Sequence, residues 1–191
     1  MNDTAKADYL HRNAEELRTL LEQITCFGRQ ADDAANALAA TLLRGGKLLA
    51  CGNGGSAAAA SHLTTEFVCR FNKDRRPYPA ISLSTHGGDL TAIGNDYAFN
   101  DIFARQIKAF GRRGDVLMAF TTSGQSENVH RALLTGKSEG LFTVSFLGKD
   151  GGSCAGIADI EFLIHSTTTA RIQEAHQLLL HTICELAEEQ L

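Results

Sequence analysis

The sequence contains no tryptophan, only 2 prolines, and no glycine in its first 27 or last 35 residues. Both prolines fall in one tripeptide, Pro77-Tyr78-Pro79, so the rest of the chain is free of the residue that most strongly breaks helices. All 18 glycines lie between Gly28 and Gly156. Helical arms bracketing a glycine-punctuated centre follow from this, and collagen-like or low-complexity organisation is excluded. No apolar run approaches the ~18 residues that a membrane span needs. The start, with Asp3, Lys6 and Asp8, has no apolar core of a signal peptide. The five cysteines, at 26, 51, 69, 154 and 184, are odd in number and form no CxxC pair. Neither a disulfide framework nor a cysteine-type zinc knuckle is expected, and Cys51 and Cys184 read as core thiols. These features place the chain in the cytoplasm. There is also no excess of positive charge: 18 Lys and Arg stand against 22 Asp and Glu, a net charge of −4. That argues against nucleic-acid and anionic-membrane partners, so any bound anion needs a local site.

What is present is a chain of 191 residues, 43% hydrophobic, enough for one domain over 1–191. Residues 4–27 carry Leu10, Leu17, Leu20, Leu21 and Ile24 at helical spacing, and Asp32 to Leu43 reads as a second helix stopped by Gly45-Gly46. Strands are expected at Lys47–Cys51, Ala80–Leu83, Asp115–Phe120, Leu141–Leu147 and Ile160–Ile164. Helices are expected after Ser56 to about Cys69, over Phe99–Phe110, after Ser126 to about Lys137, briefly after the Gly-rich turn that follows the fourth strand, and from about Thr169 to Gln190. Strands alternating with helices imply an α/β fold, a doubly wound five-stranded parallel sheet flanked by helices with an N-terminal helical arm.

Two loops follow strands and open helices. The first is Gly52-Asn53-Gly54-Gly55-Ser56. Its glycines let backbone approach an anion, and the helix start offers free N–H groups. It is neither a Walker loop nor G-x-G-x-x-G, because no Gly-Lys-Ser/Thr follows and position 57 is Ala. The second, Thr121-Thr122-Ser123-Gly124-Gln125-Ser126, sets four hydroxyls around one glycine. Hydroxyls and helix-start amides without a lysine suit the phosphate of a small molecule better than a nucleoside triphosphate. Each loop alone could be a tight turn or a helix cap; two in one sheet favour a phosphate site.

His62 and Glu66 stand one helical turn apart on a shared face, a spacing that suits a surface ion pair, a divalent metal or proton transfer. On the last helix Gln173, Gln177 and His181 fall along one side, and Gln173 and His181 could complete a four-ligand nitrogen/oxygen site with His62 and Glu66. His176 lies off that line and reads as structural or solvated; His11 and His130 read as exposed. The basic run Arg70, Lys73, Arg75, Arg76 reads as a solvated loop that could steer an anion.

Taken together, GNGGS before a helix, TTSGQS after the third strand and the terminal RIQEAH segment resemble the sugar isomerase (SIS) domain, and within it the bacterial phosphoheptose isomerases. Further matches are His62-Leu63-x-x-Glu66-Phe67, Leu90-Thr91-Ala92-Ile93-Gly94-Asn95-Asp96 and Gly148-Lys149-Asp150-Gly151-Gly152. The resemblance implies an aldose–ketose isomerase that converts sedoheptulose 7-phosphate, or a closely related ketose phosphate, to D-glycero-D-manno-heptose 7-phosphate through an enediol(ate). It implies a homotetramer with active sites at subunit interfaces. It assigns Glu66 as the carbon base and His181 as the acid/base. Substrate contacts would be Asn53, Gly54, Gly55, Ser56, Asp96, Thr121, Thr122, Ser123, Ser126 and Gln173. His62, Glu66, Gln173 and His181 would hold zinc.

The sequence departs from the family pattern at Ala59 and at His86-Gly87-Gly88, where acidic and hydroxyl side chains are usual, and at Thr121 and Gln125, where Ser and Asn are common. These departures bear on the sugar recognised rather than on the reaction. The alternative is a non-catalytic SIS regulator of the DnaA initiator-associating type; the terminal His replaced in that relative is present here as His181.

Overall fold

The computed structural model describes residues 3–191, with side chains from Asp8 onward. Met1 and Asn2, on which part of the signal-peptide reading and the first two positions of the 1–191 domain rest, lie outside the described residues. Five parallel strands run β1 (Leu48–Gly52), β2 (Ala80–Ser82), β3 (Val116–Thr121), β4 (Phe142–Gly148) and β5 (Ile160–Ile164). Their order across the sheet is β2-β1-β3-β4-β5. Seven α-helices accompany them among the described residues: α1 (Asp3–Ile24), α2 (Gly28–Leu43), α3 (Gly55–Val68), α4 (Gly87–Asp96), α5 (Ile102–Phe110), α6 (Glu127–Ser138) and α7 (Thr169–Glu188).

Alternation along each strand divides the core in two. Leu48 and Ala50 of β1 join Val116, Met118 and Phe120 of β3 on the face covered by α2, α3 and α7. Leu49 and Cys51 join Leu117 and Ala119 on the face covered by α5 and α6. Because both faces are covered, β1 and β3 are buried at every position, and their sequences are continuous apolar runs. Phe120, Phe146 and Phe162 pair in register across β3, β4 and β5, with ring centroids 4.3 and 5.0 Å apart. All three rings are fully buried, and truncating one to Ala would cost about 3–5 kcal/mol.

The parallel sheet and its helices match the expected fold, and four local readings are corrected. The second helix begins at Gly28, after a 3₁₀ turn at Thr25–Phe27, because Gly28 adopts ordinary helical angles (φ −52°, ψ −44°). Residues 87–96, unassigned from the sequence, form α4; none of its residues is fully buried, and its apolar side is only Leu90 and Ile93, half-buried against the core, too short a pattern to mark a helix. The basic loop is not wholly solvated: the Arg75 side chain is only 7% exposed. His130, read as exposed, is half-buried, whereas His176 is buried in the core. All five cysteines are free thiols, and Cys51, Cys154 and Cys184 are buried.

In the order 2-1-3-4-5 the strands all run parallel, and the direction in which successive strands are laid across the sheet reverses between β1 and β3. Side by side at their carboxyl ends, the loops after these two strands flank the crevice where open α/β sheets bind ligands.

Candidate active site

The first loop is shaped by glycine. Gly54 adopts φ +55° and ψ −122°, a conformation essentially closed to side chains. A Cβ at Gly52 would press on the backbone of Ser56 at 2.7 Å, and one at Gly55 would collide with the amide of Gln173. Ser56, in the first turn of α3, is buried beneath the loop, and its N–H bonds the Asn53 carbonyl at 3.0 Å. The N–H groups of Ala57 and Ala58 turn back to the Gly54 carbonyl.

In the second loop the hydroxyls converge. Thr121 Oγ1 lies 3.1 Å from Ser126 Oγ and 3.4 Å from Ser123 Oγ. The Gly124 N–H donates to Thr121 Oγ1 and the Gln125 N–H to Ser123 Oγ. Thr122 stands half-buried between them. The loop rests on the turn that follows β4. A Cβ at Gly124 (φ +67°) would collide with Gly151, one at Gly148 with the Thr122 carbonyl, and one at Gly152 would press on Gln125. Cys154 N–H donates to the Gly124 carbonyl at 3.1 Å. The Gly148-Lys149-Asp150-Gly151-Gly152 segment is therefore the support of the hydroxyl loop.

Beside the first loop, α3 and α7 bring three titratable groups together. His62, Glu66 and His181 offer ligand atoms that all lie within 4.8 Å of one another. His62 Nε2 is 2.9 Å from Glu66 Oε1 and 3.0 Å from His181 Nε2. Burial and the neighbouring His62 lower the proton affinity of His181, while Glu66 partly opposes them. The His181 imidazole is thereby biased to the neutral form, whose free ring nitrogen can accept a proton. Two imidazole nitrogens and a carboxylate oxygen at this spacing are a donor set that suits Zn²⁺. His62, Glu66 and His181 fit the ion on chemistry and separation.

Other sequence-derived residues are placed as follows. Gln173 lays its amide against Gly55, next to the first loop. Gln177, one turn on, is the glutamine whose amide reaches His181 Nε2, at 3.0 Å. Asp96 ends α4, exposed, and its carboxylate accepts from Asn95. His86 precedes α4, with Nδ1 3.5 Å from Asp89. Asn128, which the sequence reading passed over, pairs with Asn53. Nothing local marks Asn128, because its partner is 75 positions away.

This architecture, a doubly wound sheet with two phosphate-type loops at its reversal point, defines a class, and comparison with known proteins names it. Residues 12–148 match the SIS domain, and the chain belongs to that family. Within the family its relatives are phosphoheptose isomerases. It is 46% identical to the phosphoheptose isomerase of Aquifex aeolicus over 184 residues, covering 96% of this chain and 95% of that one. Two solved structures, the phosphoheptose isomerases of Neisseria gonorrhoeae and Francisella tularensis, each superpose with a TM-score of 0.90. Their sequences are 34% and 33% identical to it, and each match covers 96% of this chain and 98% of the other. The chain is an aldose–ketose isomerase of this group.

Proposed function

We propose that the single domain interconverts sedoheptulose 7-phosphate and D-glycero-D-manno-heptose 7-phosphate, with Glu66 and His181 as the proton-transfer pair. The observation that carries this reading is the convergence of Glu66, His62 and His181 beside two loops suited to a phosphate. The Ser56, Thr121, Thr122, Ser123 and Ser126 hydroxyls and the backbone of Gly54 and Gly55 bind the phosphate. Asn53, Asp96 and Gln173 contact the sugar. Thus anchored, the ketose presents the carbon beside its carbonyl to Glu66. The Glu66 carboxylate removes that proton and leaves an enediol(ate). His181 moves a proton between the two oxygens, and return of the carbon proton at the neighbouring position gives the aldose. Glu66 Oε1 faces His62, which leaves Oε2 for the carbon proton.

His62, Glu66, Gln173 and His181 would hold zinc. The ion, when bound, supplies polarisation of the substrate oxygens. The active unit is a homotetramer with sites at subunit interfaces, supported by the exposed Tyr9 and Leu10 of α1 and Leu178 of α7. A cytoplasmic setting agrees with five free thiols, two of them exposed. The regulatory alternative is disfavoured by the intact acid–base cluster and by 46% identity to an isomerase.

The test is incubation with sedoheptulose 7-phosphate in deuterated water, with and without a zinc chelator. Deuterium should enter at the carbon beside the carbonyl and the aldose should form. Absence of both across a panel of ketose phosphates would sink the reading.

A further inference from the structure

The segment between α3 and β2 is pinned by a buried ion pair outside the acid–base cluster. Glu188, in the last turn of α7 and 4% exposed, accepts the backbone N–H groups of Phe71, Asn72 and Lys73 at 3.2, 2.8 and 3.0 Å. It also accepts Arg75 Nε at 3.2 Å. The same guanidinium donates from Nη2 to the carbonyl of Glu66 at 2.6 Å and from Nη1 to the carbonyl of Phe67 at 3.2 Å. Its Cζ lies 5.6 Å from the centroid of the Phe67 ring and 5.5 Å from that of Tyr78.

A carboxylate withdrawn from water is tolerated only when its lone pairs are filled, and four donors fill these. Burial alone would push the Glu188 carboxyl up; the three backbone donors and Arg75 more than reverse this and hold it below the usual range.

The geometry reaches both halves of the candidate acid–base pair. The last carbonyls of a helix need partners, commonly provided by a glycine turn. Here Cys69 follows α3, and Arg75 supplies partners to the carbonyls of Glu66 and Phe67. On the other side, the N–H groups gripped by Glu188 hold Phe71, whose ring lies 5.7 Å from the His181 imidazole at 31°. A second peg, Lys73 to Glu189 at 2.7 Å, ties the same loop to the end of α7.

We infer that Arg75 and Glu188 are positioning residues for the isomerisation, fixing Glu66 through its backbone and His181 through Phe71. The inference rests on the reading of Glu66 and His181 as the proton-transfer pair. Both residues act through others, so the expected signature is a loss of kcat with little change in KM.

The experiment is steady-state kinetics on the full chain for Glu188→Gln, Glu188→Asp, Phe71→Leu and Glu66→Gln, with circular dichroism confirming folding at the assay temperature. Glu188→Gln should lower kcat roughly 10- to 100-fold, the scale of an ångström-sized misplacement, with KM within about 2-fold. Glu188→Asp should recover most of the loss. Phe71→Leu should lower kcat by itself, and its effect should not multiply with that of Glu188→Gln. A folded Glu188→Gln protein with wild-type kcat overturns the inference. If that variant does not fold, wild-type kcat in Phe71→Leu overturns it. Wild-type turnover in Glu66→Gln would instead refute the underlying acid–base assignment, an outcome separable from the first two.

Discussion

Asn53 and Asn128 exchange two amide hydrogen bonds, each Nδ2 donating to the other's Oδ1, at 2.8 and 2.9 Å. The pair joins the loop after β1 to the first turn of α6, so it fixes the gap between the two phosphate-type loops rather than the shape of either. Asn128 is 2% exposed and Asn53 is half-buried, so replacing Asn128 leaves the Asn53 amide without its partner and partly shielded from water. Asn128→Leu should cost about 1–3 kcal/mol of stability and raise KM for the sugar phosphate more than it lowers kcat. Urea unfolding and steady-state kinetics measure the two effects. An unchanged KM would show that the pair does not set the loop spacing for substrate.

Glu66→Gln keeps the size of the side chain and removes its basicity. Turnover should fall by about 10²–10⁴, the usual weight of a general base, with the secondary structure unchanged. His181→Ala should do the same. Deuterium exchange into the substrate separates the roles: if Glu66 is the carbon base, exchange disappears with turnover in Glu66→Gln. Exchange at the wild-type rate there would refute the role.

Chelation should remove both bound metal and activity, and added zinc should restore both. His62→Ala takes one nitrogen from the donor set, so it should lower the metal content of the purified protein, read by elemental analysis. Full metal occupancy in that variant would place the ion elsewhere.

Two glycines give opposite expectations. Gly124 sits at φ +67° against Gly151, so Gly124→Ala combines backbone strain with a collision. A loss of at least about 2 kcal/mol is expected in urea unfolding. Gly87, at the start of α4, has open space where a Cβ would go, and Gly87→Ala should change stability by less than about 0.5 kcal/mol. Equal effects at the two sites would contradict the supporting role of the β4 turn.

His176 gives the protein an acid-sensitive core. Burial lowers its pKa from 6.5 to about 4, against a hydrogen bond to the Leu147 carbonyl that favours the charged form. The folded state thus prefers the neutral ring, while the unfolded chain binds a proton near pH 6.5. The stability is fully present above that value and is lost as pH falls toward 4, by about 3 kcal/mol in all. Unfolding free energies measured across pH 4–7 should show this slope in the wild type and a flatter one in His176→Leu. The same slope in both would remove His176 as its source.

Legibility in the sequence followed locality. β1 and β3 were readable because strands covered on both faces are short unbroken apolar runs. The turn at Gly45-Gly46 was readable because Gly45 adopts φ +84°. The segment 87–96 was not readable, since two half-buried residues, Leu90 and Ile93, are too few to mark a helix. Arg75 reads as solvated in the sequence for a comparable reason: a basic residue in a polar loop looks the same whether its partner is water or a glutamate 113 positions away.

What the sequence determined by itself is the alternation of strands and helices, the two loops that end strands, and the shared helical face of His62 and Glu66. Each depends on spacings of a few residues, which backbone geometry fixes. The tertiary structure decided which distant groups meet. The strand order 2-1-3-4-5 sets the two loops side by side. The packing of α7 on α3 brings His181 to within 3.0 Å of His62, puts Gln177 beside it, and leaves Gln173 against Gly55. The physical reason is that contacts between elements depend on how whole faces bury against one another, and no local spacing encodes that.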